Sequence, residues 1–273
     1  MVKKRKADTR SEVHFASSLA KIAASLFQKD KRQNIFNTKV RRTNYSRTSK
    51  RDFLITEVGN MNILQKIYSN QIIQFGPIRT GSTLVYNLLK ELFPERDIVK
   101  THHFRKRLFF HPQTVITYRN PIHSLSSSII RFDEPINDES IEVQLEHLKS
   151  NGLDELIKYF DCHYTLKLKY EDFYENFNYI FNQFEVYFDI SIPDLKREEL
   201  KTKYNVATIK DQEIVKNGNA KEYDSTTHWH GKHVSDNLGK PSAHNVFDTR
   251  QLDYIIGVLN PYMEVLGYTK NDL

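Results

Sequence analysis

Gln71-Ile72-Ile73-Gln74-Phe75-Gly76-Pro77-Ile78-Arg79-Thr80-Gly81-Ser82-Thr83, running on through Leu84 and Val85 to Leu92, is the stretch around which the chain is organised. Ile72, Ile73 and Phe75 read as a short buried strand, and Gly76 to Gly81 as a tight turn. A helix is predicted to open at Ser82 and Thr83, because Leu84, Val85, Leu88, Leu89 and Leu92 follow at the spacing of a buried stripe. A strand, a Gly-containing turn and a helix N-terminus make a P-loop-like cradle for anions. The first-turn N–H groups lack intrahelical partners and the helix dipole adds partial positive charge, so a phosphate or sulfate is the expected guest. The alternative is a plain strand–turn–helix whose Gly and Ser only turn the chain and cap the helix.

The spelling of the turn narrows the guest. Gly76 to Gly81 has the spacing G-x-x-x-x-G, yet the Lys that a nucleoside-triphosphate P-loop places next is Ser82 here. That absence argues against ATP hydrolysis or phosphoryl transfer. The cation comes earlier, as Arg79 inside the turn, which suits a 5′-phosphate or a phosphosulfate.

Strand and helix signals alternate after the cradle. Asp97–Lys100 reads as a strand ending in Lys100-Thr101-His102-His103. Thr114–Tyr118 reads as a β-branched strand, followed by Arg119-Asn120-Pro121 and a Ser-rich helix over 122–132, with Pro121 well placed at its start. Leu145, Leu148, Leu153, Leu156, Ile157 and Phe160 mark one or two helices, and Tyr164–Tyr170 alternates like a strand. Phe173, Phe177, Ile180, Phe181, Phe184 and Phe188 have the spacing of helical core packing. The polar region around 200–248 reads as loop-rich, and Leu252 to Leu266 as a last amphipathic helix. The expected fold is α/β, a three-layer αβα arrangement around a central parallel sheet. Ligands bind such folds at the carboxyl ends of the strands, where the turn after Phe75, Lys100–His103 and Arg119 should converge.

The 273 residues suffice for one sizeable core. The single Cys162 excludes an intrachain disulfide, so a cytoplasmic or other reducing compartment is expected; this residue reads as a buried filler. No apolar run is long enough for a membrane span, and a soluble protein is expected. The net charge of +6 is unevenly spread: residues 1–51 hold fifteen Lys/Arg against three Asp/Glu, which leaves the remainder at −6. Residues 1–60 therefore read as a basic leader, partly disordered or helical, and 61–273 as the α/β domain. Phe15, Leu19, Ile22 and Leu26 could form an amphipathic helix in the leader. The leader's charge suits nucleic acid, an anionic surface or an acidic substrate, or simply a solvated segment.

Arg79-Thr80-Gly81-Ser82-Thr83 resembles the 5′-phosphosulfate loop of the sulfotransferases that use 3′-phosphoadenosine 5′-phosphosulfate (PAPS). Tyr118-Arg119-Asn120-Pro121 with Ser127 is similar to their 3′-phosphate motif, Lys100-Thr101-His102 to the Lys-Thr-His of the cytosolic branch, and Tyr170-Glu171-Asp172 to a Tyr-Glu-Asp at a strand end. The motifs occur in the family's order over about residues 71 to 190. The C-terminal Arg-Lys-Gly of the cytosolic branch is absent, with Gly239-Lys240 the nearest substitute, and the loop's Trp is Leu84. The resemblance implies PAPS as sulfate donor, held by Arg79, Thr80, Gly81, Ser82, Thr83, Arg119, Ser127 and Tyr170. It implies His102 as the base, with Lys100 near the leaving oxygen and Arg79 stabilising charge; Glu91 is the next candidate base. No metal is required for that chemistry. His228, His230 and His233 could suggest zinc, but a substrate-covering loop with Trp229 as a stacking surface fits their polar surroundings better. A small-molecule or carbohydrate hydroxyl is the expected acceptor. A nucleotide kinase or NTPase, and a nucleic-acid-binding protein acting through its leader, are the competing readings.

Overall fold

In the computed structural model, residues 70–103, 113–162, 165–219, 222–234, 239 and 243–273 are described. The basic leader, with its expected amphipathic helix, and Lys240 lie outside them. Strand β1 (Gln71–Phe75) forms the middle of a four-stranded parallel sheet with β2 (Asp97–Thr101), β3 (Gln113–Tyr118) and β4 (Thr165–Lys169), in the order β2-β1-β3-β4. Phe75 pairs with Thr101 on one side and Ile116 on the other, and Tyr118 pairs with Lys169. The carboxyl ends of all four strands therefore reach the same edge of the sheet.

Alternation along the strands separates two apolar layers. Ile73, Phe75 and Ile116 face a core built with helices α2 (Pro121–Phe132), α3 (Asp138–Leu148), α4 (Asp154–Tyr159) and α11 (Thr249–Leu266). Ile72, Val115, Leu166 and Leu168 face a second core with α1 (Ser82–Leu92), the short α5 (Tyr170–Phe173), α6 (Phe177–Phe188) and α7 (Asp194–Tyr204). Two helical layers enclose the sheet. Among these helices and the others described, none is long and apolar enough to cross a membrane.

Local chemistry fixes the elements that carry the site. Asn120 caps α2 by accepting the Ile122 N–H at 2.9 Å, with Pro121 in the first turn. Asp248 and Gln251 form a reciprocal capping box at the start of α11. Phe173, Phe177, Ile180, Phe181 and Phe184 are buried as their spacing predicts, although the chain breaks between α5 and α6.

One expectation needs correction and another needs detail. The region around 200–248 is loop-rich over 222–234, as expected, but its first part is helical: α7 covers its start and α8 (Val206–Lys210) and α9 (Glu213–Asn217) follow, with the short α10 (Ala243–Val246) near its end. Helix α7 buries only Leu200 and Tyr204, too thin a stripe to produce a clear apolar period, and it carries Lys196–Glu199 and Lys201–Glu198 pairs one turn apart. Cys162 is partly exposed, not buried, because it lies in the turn between α4 and β4.

Candidate functional site

The turn after β1 is shaped by close approach. A side chain at Gly76 would put its Cβ 2.2 Å from Thr117 Oγ1 and 2.7 Å from the Thr117 carbonyl, so only glycine lets the turn lie against β3. Thr80 Oγ1 bonds the Pro77 carbonyl at 2.8 Å and Thr117 Oγ1 at 3.0 Å, which turns its hydroxyl inward as a brace and leaves its N–H as the only group for a ligand. Arg79 (φ 64) and Gly81 (φ 76) both adopt left-handed backbone. Gly81 caps α1 without a side-chain hydrogen bond, and the first turn holds no acid. The N–H groups at the start of α1 thus keep their capacity for an external anion.

Each strand end brings one further group to the cleft above this turn. From β2 comes Lys100, whose Nζ donates to Thr83 Oγ1 at 2.9 Å. Burial and the nearby charge of Arg131 push its ammonium down to about 8. His102 follows, with Nδ1 2.6 Å from the Gly76 carbonyl. A carbonyl only accepts, so Nδ1 carries the proton and Nε2 keeps its lone pair. Burial first, then the charges of Lys100, His103 and His147, bring His102 down to about 4, so it is neutral at pH 7. His103 turns away: it is exposed, with Glu155 3.9 Å away.

From β3 comes Arg119, 3% exposed. Its guanidinium stacks on the Tyr170 ring at 4.1 Å and donates to the Gly239 carbonyl at 2.9 Å and the Arg79 carbonyl at 3.4 Å. Its Nε–H is buried without a partner, a donor that a bound oxyanion would satisfy. Tyr170, at the end of β4, donates its hydroxyl to the Gly239 carbonyl at 3.1 Å. Gly239 of the Gly-Lys pair therefore contributes a carbonyl that orients both Arg119 and Tyr170. Arg79 reaches across to α2, its Nε donating to Ser127 Oγ at 3.0 Å and its terminal nitrogen to the His233 carbonyl at 3.2 Å. Burial, Arg131 and Arg119 together depress Arg79 to about 9.

Arg79, Lys100, Arg119 and Arg131 all line this cleft, together with His102, His230 and His233, and no Asp or Glu does so among the described residues. Such an arrangement holds anions by charge and forked hydrogen bonds. Glu91 is not part of it: its carboxylate pairs with Lys196 and Lys203 and accepts from the Tyr204 hydroxyl.

The His-rich segment packs along the middle and second half of α1. Asn87 and Lys90 donate to the Thr227 and Thr226 carbonyls at 2.7 and 2.9 Å. Among the described residues no group of three or more His, Cys, Asp or Glu is arranged to hold a metal. Trp229 packs in the second core, 2% exposed, and also lines the cleft wall. It stands edge-on to His233, with ring centres 4.7 Å apart.

The sequence reading missed Arg131, and it named His233 only as part of a covering loop. Ser127 and Arg131 lie four apart on α2, a spacing that puts them on one helix face and that could have identified Arg131. The local His cluster marked His233, but its place beside Arg79 depends on a fold-back across more than a hundred residues.

No protein-family profile matches this sequence, and no curated protein matches it either. Among solved structures, the mouse sulfotransferase SULT7A1 complexed with PAP is similar: TM-score 0.51 and 13% identity, over 74% of this chain and 89% of that one. The fold is a sulfotransferase-like α/β fold.

Proposed function

We propose that this chain is a PAPS-dependent sulfotransferase acting on an acceptor hydroxyl. The observation that carries the reading is a cleft at four strand ends holding three Arg, one Lys and a neutral His102, with no carboxylate among the described lining residues. The likeness to a fold solved with PAP supports it. A kinase or NTPase reading gains nothing from the site. Mg²⁺ is held by carboxylates as well as substrate phosphates, and the P-loop Lys position is Ser82.

The residues present fit the donor. Backbone N–H groups of Thr80 to Thr83, the Ser82 and Thr83 hydroxyls and Arg79 would hold the 5′-phosphosulfate. Arg119 and Ser127 would take the 3′-phosphate, with Tyr170 beside them. When bound, PAPS supplies a sulfuryl group whose bond to the 5′-phosphate oxygen breaks as the acceptor oxygen bonds to sulfur, leaving adenosine 3′,5′-bisphosphate. His102 Nε2 takes the acceptor proton, and its Nδ1–H bond to Gly76 keeps the tautomer and ring fixed while it does so. Lys100, held by Thr83, neutralises charge on the departing oxygen. Arg79 couples the two ends of the site through Ser127.

The test supplies sulfate-labelled PAPS and a panel of hydroxyl acceptors to the purified chain, with calorimetry of adenosine 3′,5′-bisphosphate and adenosine 5′-phosphate alongside. Label transfer and a clear preference for the bisphosphate are expected. No transfer to any acceptor, with equal affinity for the two nucleotides, would remove the reading.

A further inference from the structure

Arg119 is held from behind by groups that do not line the cleft. The next residue, Asn120, joins β3 to α2 and is 1% exposed. Each polar group of Asn120 has a partner. Its carbonyl accepts from the Ser124 N–H at 3.0 Å and its side-chain oxygen from the Ile122 N–H, while its N–H donates to Glu171 Oε1 at 3.1 Å and its Nδ2 to the Asp272 carbonyl at 3.1 Å. Glu171 Oε2 accepts in turn from the Tyr268 hydroxyl at 2.7 Å. The Asp272 carbonyl takes a second donor, His123 Nε2, at 3.2 Å, and since a carbonyl only accepts, Nε2 carries the proton. Glu171, Tyr268 and Asp272 all lie outside the cleft lining.

Two segments thus grip the junction between β3 and α2. Tyr170 and Glu171 are neighbours at the end of β4: the first stacks on the Arg119 guanidinium, and the second fixes the backbone of the residue after it. Residues 268–272 follow α11 and come from 97 or more positions further along the chain. Burial and the charge of Glu171 hold the Tyr268 hydroxyl far above its usual range, so it stays a donor. The turn that presents the Asp272 carbonyl is braced by its own carboxylate, which accepts from the Thr269 N–H at 2.7 Å and hydroxyl at 2.8 Å. Ser127, the other residue assigned to the 3′-phosphate, lies one turn beyond His123 on α2, so the same anchors place it. A carboxylate suits the junction because it accepts from both donors, whereas a glutamine offers one acceptor oxygen and turns its NH₂ toward the second donor. A fork from a guanidinium to a phosphate needs its direction held within about half an ångström by hydrogen bonds behind it.

We propose that Glu171, Tyr268 and the Asp272 carbonyl form a clasp that positions Arg119 and Ser127 for the 3′-phosphate of the donor. This rests on the sulfotransferase reading and assigns it positioning residues outside the cleft. The charge of Glu171 also acts on Arg119, and that charge by itself would weaken the binding of an anion. Removing it sets two effects of opposite sign against each other. Preference for the 3′-phosphate falls if position dominates and rises if charge does.

The experiment reads binding, so it does not depend on turnover. Calorimetry of adenosine 3′,5′-bisphosphate and adenosine 5′-phosphate on the wild type, Tyr268→Phe and Glu171→Gln gives the ratio of the two affinities in each protein, at a temperature where melting curves show it folded. Tyr268→Phe keeps the buried ring in the first core and removes only the hydroxyl, so it carries the test if Glu171→Gln does not fold. The ratio should fall about threefold or more in Tyr268→Phe and about tenfold or more in Glu171→Gln. On an Arg119→Met background, Tyr268→Phe should change the ratio by less than about twofold, because its effect passes through Arg119. A clasp that serves stability alone would lower the melting temperature and leave the ratio at its wild-type value. That outcome refutes the proposal, as does a ratio that rises in Glu171→Gln or a fall that persists without Arg119; in each case a wild type that prefers the bisphosphate leaves the proposed function standing. A wild type without that preference removes the sulfotransferase reading, and the clasp with it.

Discussion

Replacing Arg119 by Met tests the 3′-phosphate end of the site directly. The guanidinium has five N–H donors. Two are engaged, with the Gly239 and Arg79 carbonyls, which leaves three, including the buried and unpartnered Nε–H. A forked pair to a phosphate needs two. Hydrogen bonds to charged groups contribute roughly 1.5–3 kcal/mol each, so the fork should be worth about 3 kcal/mol at its lower end, or about two powers of ten in affinity. The assay is calorimetry with adenosine 3′,5′-bisphosphate and adenosine 5′-phosphate on both proteins. The ratio of the two affinities isolates the 3′-phosphate, because loosening of Gly239 or Tyr170 affects both nucleotides. Wild type should favour the bisphosphate by about a hundredfold, and Arg119→Met should bring that ratio to within about threefold of unity. A variant that keeps the hundredfold ratio would show that the 3′-phosphate lies elsewhere, and the assignment of Arg119 would be wrong.

Other perturbations read different parts of the site. His102→Ala should lower sulfuryl transfer by about 10²-fold or more while bisphosphate affinity stays within a few-fold; near-normal turnover would reassign the base. Since His102 is depressed to about 4, it stays unprotonated until well below the usual histidine range. The acid limb of kcat/KM should therefore fall below pH 5 and not near 6.5, as measured across a buffer series. The same shift affects stability: between pH 6.5 and 4 the unfolded chain binds a proton at His102 that the folded chain does not, so stability must decline as pH falls through that window. His230, also depressed to about 4, acts in the same direction, and urea midpoints that stay flat from pH 7 to 5 would contradict both shifts. Gly76→Ala should cost about 1–3 kcal/mol, because its Cβ would meet Thr117 Oγ1 at 2.2 Å and the neighbouring carbonyl is backbone that cannot swing aside. A urea midpoint equal to that of wild type would show that the turn can shift away from β3.

Much of the fold was legible because its signals were local. Ile72, Ile73 and Phe75 before a Gly turn, β-branched Thr114–Tyr118, and Asn120-Pro121 opening a helix each carry their own structural chemistry, and the parallel order follows from helices between strands. Arg79, Lys100, His102 and Arg119 were legible as residues at strand ends, and the sheet brings them to one cleft. Side-chain roles that depend on distant partners were not. The Thr80 hydroxyl's inward brace against Thr117, 3.0 Å away, could not be read from the loop. Trp229 reads as a stacking surface in a covering loop, and its packing in the second core depends on partners far along the chain. Glu91 looks like a possible base until Lys203, more than a hundred residues later, pairs with it. Helix α7 escaped because ion pairs one turn apart support it more than an apolar stripe does.

Crowding cations in a cleft that no Asp or Glu lines among the described residues is unfavourable, and the way the chain sustains it bears on the selectivity proposed for the site. Arg79, Arg119, Arg131 and Lys100 are all depressed chiefly by burial, so each is charged at a cost in desolvation. Arg79 also holds a left-handed backbone, which a non-glycine residue adopts only when its surroundings over-determine it. Those surroundings are specific: Ser127 fixes its Nε, the His233 carbonyl fixes its terminal nitrogen, and its own carbonyl accepts from Arg119. Two of these groups, Ser127 and Arg119, are the ones that would contact a nucleotide's 3′-phosphate, while Arg79 itself would contact the 5′ end. A ligand carrying both anions relieves the repulsion between Arg79 and Arg119 at once, whereas a ligand with one anion relieves half of it and leaves the other guanidinium desolvated. The proposed selectivity for a doubly anionic nucleotide would follow from the desolvation penalty on these cations as much as from the contacts made with the ligand.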